Sequence, residues 1–596
     1  MSGFQPKFES LVQVFNASTA QYADRTLFGV KRDGQWQWMT YAQWEDQVRR
    51  VRTGLRNLGV EAGDRVAVIA NNSPEWAVAA YATYGLGAAY VAMYESQLDK
   101  DWKHILTDCG AKVLFVANED IARRIRSLRE ELPALEQVVL FSGQPAKGEH
   151  TFSELLQNEP SELTDPGPDA TADFIYTSGT TGAPKGVKLS HRNLAYNVSA
   201  IHEVFPMEPS DRSLCFLPWA HSFGQTVELH GLISMGASLG IAEAVDKIIA
   251  NLSEVRPTLF FSVPRVFNRI YDGLHARMKE EGGLKQRLFE AAIDAAQQRR
   301  RLAEKGEHNA WLDLKFKVLD SLVFSKVRER FGGRLKYAFS GGAAISREVA
   351  EFIDDLGITV YEGYGLSETS PIATMNYPGA RKIGSVGKPI PGVKIEIDVG
   401  ATDDPSQGEV VIYGHNVMQG YHNLDEANAE VLVEKDSMRG FRSGDMGRID
   451  EEGFLHITGR VKEQYKLLNG KYVVPTPLEE KIKLSPYISN VMVHGMNREY
   501  NVAVVVPDYA ALKGWAKEKG LDPNPASLAK NDKVHALMEE EVNRMSADFK
   551  GYEKVRKIFV GEEDFTTENG MLTPTLKLKR RVVQQRYGDA IESLYR

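Results

Sequence analysis

The sequence predicts an α/β protein. Its large N-terminal domain has mixed, mainly parallel sheets layered with helices and carries a β-rich subdomain; a small α+β domain follows. Three observations carry this reading. Short apolar runs recur at Arg65-Val-Ala-Val-Ile-Ala70, Lys112-Val-Leu-Phe-Val-Ala117 and Gln137-Val-Val-Leu-Phe141, and again at Thr258-Leu-Phe-Phe-Ser-Val263 and Leu335-Lys-Tyr-Ala-Phe-Ser340. Helical patterns separate them, as buried parallel strands with crossover helices require. After Lys394-Ile-Glu-Ile-Asp398 the character changes to short strands and tight turns, including Gly408-Glu-Val-Val-Ile-Tyr413 and Gly453-Phe-Leu-His-Ile-Thr458. The chain has 596 residues, more than one hydrophobic core usually supports, so at least two domains are expected.

Residues 76–94 carry no charged side chain and approach the length of a membrane span. They read instead as a buried helix and strand. Ser73-Pro74-Glu75 supplies an N-cap, a first-turn proline and an acid favoured by the helix dipole, Gly85 and Gly87 end the helix, and Ala88-Ala-Tyr-Val-Ala-Met93 follows as a strand. Residues 274–330 are rich in Ala, Leu, Glu, Lys and Arg and predict helices broken at Gly282-Gly283 and near Gly306, their charges forming solvated faces. Toward the end, Asn490-Val-Met-Val-His494, Asn501-Val-Ala-Val-Val-Val-Pro507 and a basic helical tail make the small α+β segment.

Composition narrows the function classes. With 43% apolar and 26% charged residues the chain is in the ordinary globular range. A net charge of −8 provides no basic field for a phosphate backbone, which argues against nucleic acid and requires local groups to hold any anion. Cys109 and Cys215 are far apart and outside metal-ligand spacing, so neither a disulfide framework nor a zinc site is expected. A reducing, cytoplasmic setting fits. The opening Met-Ser-Gly-Phe-Gln-Pro-Lys has no apolar core of signal-peptide length, so secretion is not expected.

Phe174-Ile-Tyr176 reads as a strand that runs into Thr177-Ser178-Gly179-Thr180-Thr181-Gly182, closed by Lys185-Gly186. Glycines let backbone N–H groups approach phosphate oxygens, hydroxyls add donors without bulk, and a lysine supplies a mobile positive charge. The spacing is not that of a Walker A loop, G-x-x-x-x-G-K-[ST]. A surface linker would share the composition, but linkers seldom join paired threonines, flanking glycines and Pro-Lys-Gly directly to a buried strand. The run resembles the signature loop of the adenylate-forming superfamily, which contains acyl-CoA synthetases, peptide-synthetase adenylation domains and luciferases.

Further motifs follow in that family's order. Ser340-Gly-Gly-Ala-Ala344 and Tyr361-Glu-Gly-Tyr-Gly-Leu-Ser-Glu-Thr369 resemble its adenine-binding and Mg²⁺-binding segments. The resemblance implies that Tyr364 stacks on the base, with Gly342, Ala343, Glu362, Gly363, Gly365 and Ser367 around the nucleotide. Glu368 and Thr177 would share a Mg²⁺ ion, which prefers few protein oxygens. Phe441-Arg-Ser-Gly-Asp-Met-Gly447 resembles the ribose motif, in which Asp445 accepts from both ribose hydroxyls. On the residues alone, Ser-Gly-Asp is a turn. Arg460 is implied as an ATP contact, Lys462 falls at the family's hinge position, and Lys466 joins the nucleotide set.

Gly570-Met-Leu-Thr-Pro-Thr-Leu-Lys-Leu-Lys-Arg580 resembles the C-terminal catalytic-lysine motif, with Lys577 as the match. The glycine usual before that lysine is Leu576 here, as in the long-chain branch, and Lys579 stays open as an alternative. Read without the resemblance, the segment is a basic helix start with Lys579 and Arg580 exposed. Residues 577–586 could touch an anionic bilayer or form a solvated face.

Leu217-Pro-Trp-Ala-His-Ser-Phe223 resembles the segment lining the family's acyl pocket. Trp219, His221, Gly342 and Tyr364 would form that pocket, with His221 near the carboxylate or the α-phosphate; a buried, satisfied histidine is the other reading. Ser262-Val-Pro-Arg-Val-Phe-Asn-Arg-Ile-Tyr271 and the helical insert after it are similar to long-chain fatty acyl-CoA synthetases, and no specificity charge for an amino acid is evident. A long apolar acid would gain roughly 0.8 kcal/mol per buried methylene.

The resemblance therefore implies an adenylation domain over residues 1–460 and a mobile lid over residues 461–596. It implies an ATP- and Mg²⁺-dependent fatty acid–CoA ligase working through an acyl-adenylate, with Lys577, Glu368 and His221 catalytic. A ligase that stops at acyl-AMP, one that uses a carrier-protein thiol, one for another apolar or aromatic acid, and a silent nucleotide or fatty-acid sensor are the alternatives. Partners would be the fatty acid, ATP and coenzyme A, with at most peripheral membrane contact.

Overall fold

The structure, a computed structural model, describes residues 4–177, 183–401, 405–573 and 576–596. Two large sheets face each other across a helical layer. The eight-stranded sheet runs in the order Gly420–Tyr421, Lys185–Ser190, Thr171–Thr177, Ala89–Met93, Arg65–Ile69, Val113–Val116, Gln137–Leu140, His150–Thr151. It is parallel from Thr171–Thr177 outward, while Lys185–Ser190 and Gly420–Tyr421 join antiparallel. The nine-stranded sheet has Leu259–Ser262 and Tyr337–Ser340 parallel at its centre and the hairpin Thr26–Arg32, Gln35–Thr40 at one edge. Sequence pattern finds most of the parallel strands but assigns none to a sheet.

The apolar runs are continuous because each strand is buried on both faces. Val66 and Val68 point into the central core, whereas Ala67 and Ile69 point into an outer core against the helices Asp99–Cys109 and Glu119–Ser127. Likewise Leu259 and Phe261 face the centre, and Phe260 faces the outer helices. Between the sheets lie the helices Leu11–Tyr22, Tyr41–Asn57, Pro74–Tyr84 and His191–Val204 and the π-helix Phe223–His230. Pro74–Tyr84 starts as expected: Ser73 accepts from the Trp76 N–H, and the helix ends at Gly85. Its residues are buried, and no helix among those described is long and apolar enough to cross a membrane.

On the outer face of the nine-stranded sheet, the 274–330 segment forms the helices Pro264–Glu281, Gly283–Glu304, Ala310–Leu319 and Ser325–Arg330. Their charges are not merely solvated. Arg300 holds Asp355 and Glu351, and Arg328 takes Asp320 in a two-pronged pair.

The β-rich subdomain is a five-stranded sheet built on Lys394–Asp398, Gly408–Tyr413, Met438–Ile449 and Leu455–Arg460, with Leu432–Lys435 at one edge. Beyond it, the C-terminal domain has the antiparallel pair Ile488–His494 and Asn501–Pro507, and a third strand, Val555–Val560, parallel to the latter. Alternate residues again divide: Val491, Ala503 and Val505 pack under the helices Pro475–Ile482, Tyr509–Glu518 and Asp532–Met545, and Met492, Val502 and Val504 under Arg580–Ser593. Leu484 inserts into the outer helical core of the N-terminal domain, and Lys481 Nζ lies 2.6 Å from Glu348 Oε2 beside it. These contacts pack the C-terminal domain against the outer helices of the N-terminal one.

Candidate functional site

The phosphate-loop motif sits on a hairpin. Thr177 ends its strand opposite Lys185, and the tip, Ser178, Gly179, Thr180, Thr181 and Gly182, lies outside the described residues. The hairpin stem is anchored by Tyr176, whose hydroxyl donates to Asp108 Oδ2 at 2.6 Å. Lys185 holds its ammonium 4.9 Å over the ring of Tyr421, a cation–π contact. The Tyr421 hydroxyl in turn donates to Glu368 Oε1 at 2.8 Å. Tyr421 thus joins the two segments expected to handle phosphate and metal. The surrounding backbone is stitched to both: Met418 N–H donates to the Glu368 carbonyl and His422 N–H to that of Gly186.

Glu368 follows the strand Val360–Gly365 in a single turn of 3₁₀ helix, Ser367–Thr369. Gly365 is required by space, since a Cβ there would come within 1.8 Å of the Pro371 carbonyl oxygen. Ser367 meets Ser222 at 3.2 Å, which connects this turn to the His221 loop. Glu362 and Gly363 lie on the same strand. The Glu362 carboxyl accepts from the Gly384 N–H, and burial pushes its pKa up to about 8. Gly342 and Ala343 are exposed in the turn between Tyr337–Ser340 and the helix Arg347–Asp355.

Asp445 is not in a simple turn. It lies within the long strand Met438–Ile449, where residues 443–445 face Val410 alone, between the pairs Arg442 with Val411 and Met446 with Glu409. Gly444, at φ +69°, makes the left-handed kink of this bulge. Asp445 Oδ2 accepts from the Tyr364 hydroxyl at 2.8 Å, and Oδ1 lies 3.0 Å from Nε of Arg460, its cross-strand neighbour. Burial raises the Asp445 pKa, opposed by Arg460 and Tyr364, while Asp445 raises that of Arg460. The two groups face each other as a close cross-strand pair.

Lys577 enters from the C-terminal domain. Its loop is held by a two-way exchange with Thr573, whose N–H donates to the Lys577 carbonyl while its Oγ1 accepts from the Lys577 N–H. Solvent reaches the lysine, yet enough protein surrounds it that lost hydration, ahead of the nearby Arg460 charge, lowers its pKa; Asp445 and Glu368 act in the opposite sense. The preceding Leu576 is in the left-handed region, at φ +61°, which explains why glycine suits this position and leaves roughly 1–2 kcal/mol of strain here.

His221 lies close enough to feel the Lys577 charge, and burial first, then that charge, lowers its pKa to about 4. The ring is therefore neutral at physiological pH. The Phe223 N–H donates to Nδ1 at 3.2 Å, which assigns the proton to Nε2 and makes that nitrogen a donor. Trp219 is not on an open wall. It is wholly buried, its ring packed edge-on to Trp76 and tilted against Phe28, so it backs the loop from the core.

The remaining basic residues are placed as follows. Lys462 is exposed in the one-turn helix Val461–Glu463 directly after Arg460. Lys466 lies in the next hairpin with its ammonium 4.9 Å over Tyr472. Lys579 caps the helix Arg580–Ser593 through its backbone. Arg580, expected to be exposed, is instead clamped by Glu479 and Glu463, because the helix start turns inward over the Pro475–Ile482 helix. Tyr421 was missed by sequence reasoning. Its Gly-Tyr context has no periodic or charge signal, and its partner Glu368 is 53 residues away.

Comparison with known proteins gives the kinship of the chain. The AMP-binding enzyme family matches residues 15–422, and the AMP-binding enzyme C-terminal domain matches residues 462–596. The long-chain-fatty-acid–CoA ligase FadD15 of Mycobacterium tuberculosis is 33% identical over 577 residues, covering 94% of this chain and 93% of the relative. The peroxisomal long chain acyl-CoA synthetase 7 of Arabidopsis thaliana is 30% identical, covering 99% and 87%. Among solved structures, the adenylation domain of the carboxylate reductase of Mycobacterium chelonae superposes with a TM-score of 0.80 at 22% identity, over 99% of this chain and 92% of that one. The anthranilate CoA ligase AuaEII, in complex with anthranoyl-AMP, gives 0.75 at 21% identity over 98% of each. At that identity the structures carry the fold; the sequence matches carry the kinship. The chain belongs to the AMP-binding enzyme family.

Proposed function

We propose that this chain is a long-chain fatty acid–CoA ligase that forms acyl-CoA, AMP and pyrophosphate through an acyl-adenylate. The observation that supports it best is that Lys577, on the C-terminal domain, lies within electrostatic reach of Arg460, Asp445 and Glu368, of which Asp445 and Arg460 are paired at 3.0 Å. The acid and the thiol acceptor are taken from the relatives, whose names specify long-chain fatty acids and CoA at 30–33% identity along nearly the whole chain.

In the first step a carboxylate oxygen attacks the α-phosphorus of ATP and pyrophosphate leaves. Two anions must approach, so charge neutralisation and in-line placement dominate. Lys577 brings its ammonium to the developing charge, His221 offers Nε2–H to the carboxylate or the α-phosphate, and Arg460 and Asp445 hold the nucleotide with Tyr364 on the base. Gly342, Ala343, Glu362, Gly363, Gly365, Ser367 and Lys466 complete the nucleotide environment, and Gly342 and Tyr364 also border the acyl group. Ser178 to Gly182, with Thr177 and Lys185, receive the departing pyrophosphate. In the second step the CoA sulfur attacks the acyl carbon and AMP leaves.

Mg²⁺ fits this site as a partner of substrate rather than of a protein cage. Among the described residues no cluster of three His, Cys, Asp or Glu could hold a metal, whereas Glu368 presents one carboxylate and Thr177 one hydroxyl. When bound with the nucleotide, Mg²⁺ would neutralise phosphate charge. We further propose the boundary between residues 1–460 and 461–596, with Lys462 as the hinge that lets the lid carry Lys577 away before the thiol step. Proximity favours Lys577 over Lys579.

Incubation with ATP, Mg²⁺, palmitate and CoA is expected to yield palmitoyl-CoA, AMP and pyrophosphate in equal amounts. Acyl-AMP accumulating despite CoA would overturn the acceptor, and absence of acid-dependent pyrophosphate exchange across fatty, aromatic and amino acids would overturn the enzyme itself.

A further inference from the structure

The helix Ala310–Leu319 and the π-turn Asp320–Phe324 after it are apolar on two opposite sides. Leu312, Leu319 and Phe324 are buried in the outer core, as packing on the sheet demands. On the other side Trp311, Leu314, Val318 and Leu322 stand 72%, 62%, 53% and 50% exposed. Their spacing of three and four residues aligns them in one stripe along the helix. Single exposed apolar residues are ordinary; four in line on one element mark a surface that something covers.

The charges around the stripe indicate what. Asp313 is taken by Arg299, at 2.6 Å, and by His308, and Asp320 is taken by Arg328 at 2.7 Å. The acids of this segment are thus neutralised within the protein. Lys315, Lys317 and Lys326 have no ion-pair partner among the described residues. A positive rim around an apolar stripe therefore stands on a protein whose net charge is −8. A second copy is a poor occupant, because a twofold contact sets lysines against lysines. A surface with acyl chains beneath a layer of negative headgroups matches both features, and a tryptophan at the end of the stripe suits the headgroup boundary.

We propose that this face of the helical insert docks on an anionic phospholipid bilayer, with Trp311, Leu314, Val318 and Leu322 entering the acyl boundary and Lys315, Lys317 and Lys326 meeting headgroup phosphates. The membrane is then a reservoir from which an amphiphilic substrate is drawn. The docking surface stands on the insert alone; only the reservoir role rests on the proposed function.

The test is cosedimentation of the full chain with vesicles of phosphatidylcholine, with and without about one-third phosphatidylglycerol. The wild type is expected to bind the anionic vesicles and to release as salt rises. L314E/V318E should weaken that binding more than about tenfold, and K315Q/K317Q/K326Q about a hundredfold, the latter abolishing the preference for anionic lipid. Activity on a water-soluble short acid should stay unchanged in both. If L314E/V318E loses its cooperative melting transition, the lysine variant decides, since it alters only side-chain ends in solvent. The proposal falls if the wild type leaves both vesicle types unbound, if it binds both equally, or if L314E/V318E converts a solution dimer into a monomer.

Discussion

On the N-terminal wall of the cleft, Tyr364, Asp445 and Arg460 hold one another across two sheets, and Tyr421 ties Glu368 to Lys185. On the C-terminal wall a single lysine reaches in from a loop that includes a left-handed leucine, on a domain joined through the one-turn helix Val461–Glu463. The first wall is fixed by mutual hydrogen bonds before any substrate arrives. In the proposed reaction the second supplies a charge that the lid would withdraw. A site divided in this way can stabilise a transient charge in one step and vacate the space for a thiol in the next, which a single rigid wall could not do.

The largest effect should come from removing the movable charge. Lys577→Ala is expected to slow acid-dependent pyrophosphate release by about 10²–10³, while CoA transfer from pre-formed acyl-adenylate stays near the wild-type rate. Equal loss in both half-reactions, measured separately, would erase the distinction between the walls.

A smaller effect should follow from loosening the fixed wall. Tyr421→Phe keeps the ring under Lys185 and removes the hydroxyl from Glu368, so ATP binding measured calorimetrically without Mg²⁺ should be unchanged, while the Mg²⁺ concentration for half-maximal rate should rise about fivefold, the equivalent of one hydrogen bond of about 1 kcal/mol. Tyr421→Leu should weaken metal-free ATP binding as well. Identical behaviour of the two variants would show that the ring does not act on Lys185.

The N-terminal core should also set the pH response of stability. Burial raises Asp173 to about 7, and Glu228 and Glu362 to about 8. All three lie above their unfolded values of about 4. A raised folded pKa gives stability that is fully present below the unfolded pKa and is lost as pH rises through the folded one. Below about pH 6.5 the buried, neutral His191, His202, His221 and His230 act in the opposite sense, so the melting temperature should fall from about pH 7 toward about pH 9, and Asp173→Asn, which can still accept from Gln225 and Tyr84, should flatten the portion near neutrality. A melting curve that rises over this range would contradict the buried, protonated state.

The smallest effect concerns the loop before Lys577. Leu576→Gly removes left-handed strain but frees the unfolded chain, so a net stabilisation of about 0.5–1 kcal/mol is expected by denaturant titration. Destabilisation would mean that the Leu576 side chain, though exposed, is held by a contact in solution.

Much of this site was legible because its chemistry is local. The phosphate loop, Glu368, Asp445 and Lys577 fall in short motifs whose glycines and hydroxyls declare the backbone they need. Tyr421, Ser222 and Asp108 were not legible, since each acts on a residue tens or hundreds of positions away and no local pattern records the meeting. Trp219 was legible as a motif residue but not as a core residue, because membership of a motif does not say which face of a loop meets the solvent.

By itself the sequence determined the α/β alternation, the capped helix Pro74–Tyr84 and the order of the motifs, because helix and strand periodicity and turn chemistry operate over a few residues. Only the tertiary structure decided that the strands divide between two sheets, that the Ser-Gly-Asp turn is a bulge in a long strand, and that Arg580 turns inward. The physical reason is that burial and charge pairing depend on which surfaces meet, and those meetings are set by the packing of whole layers.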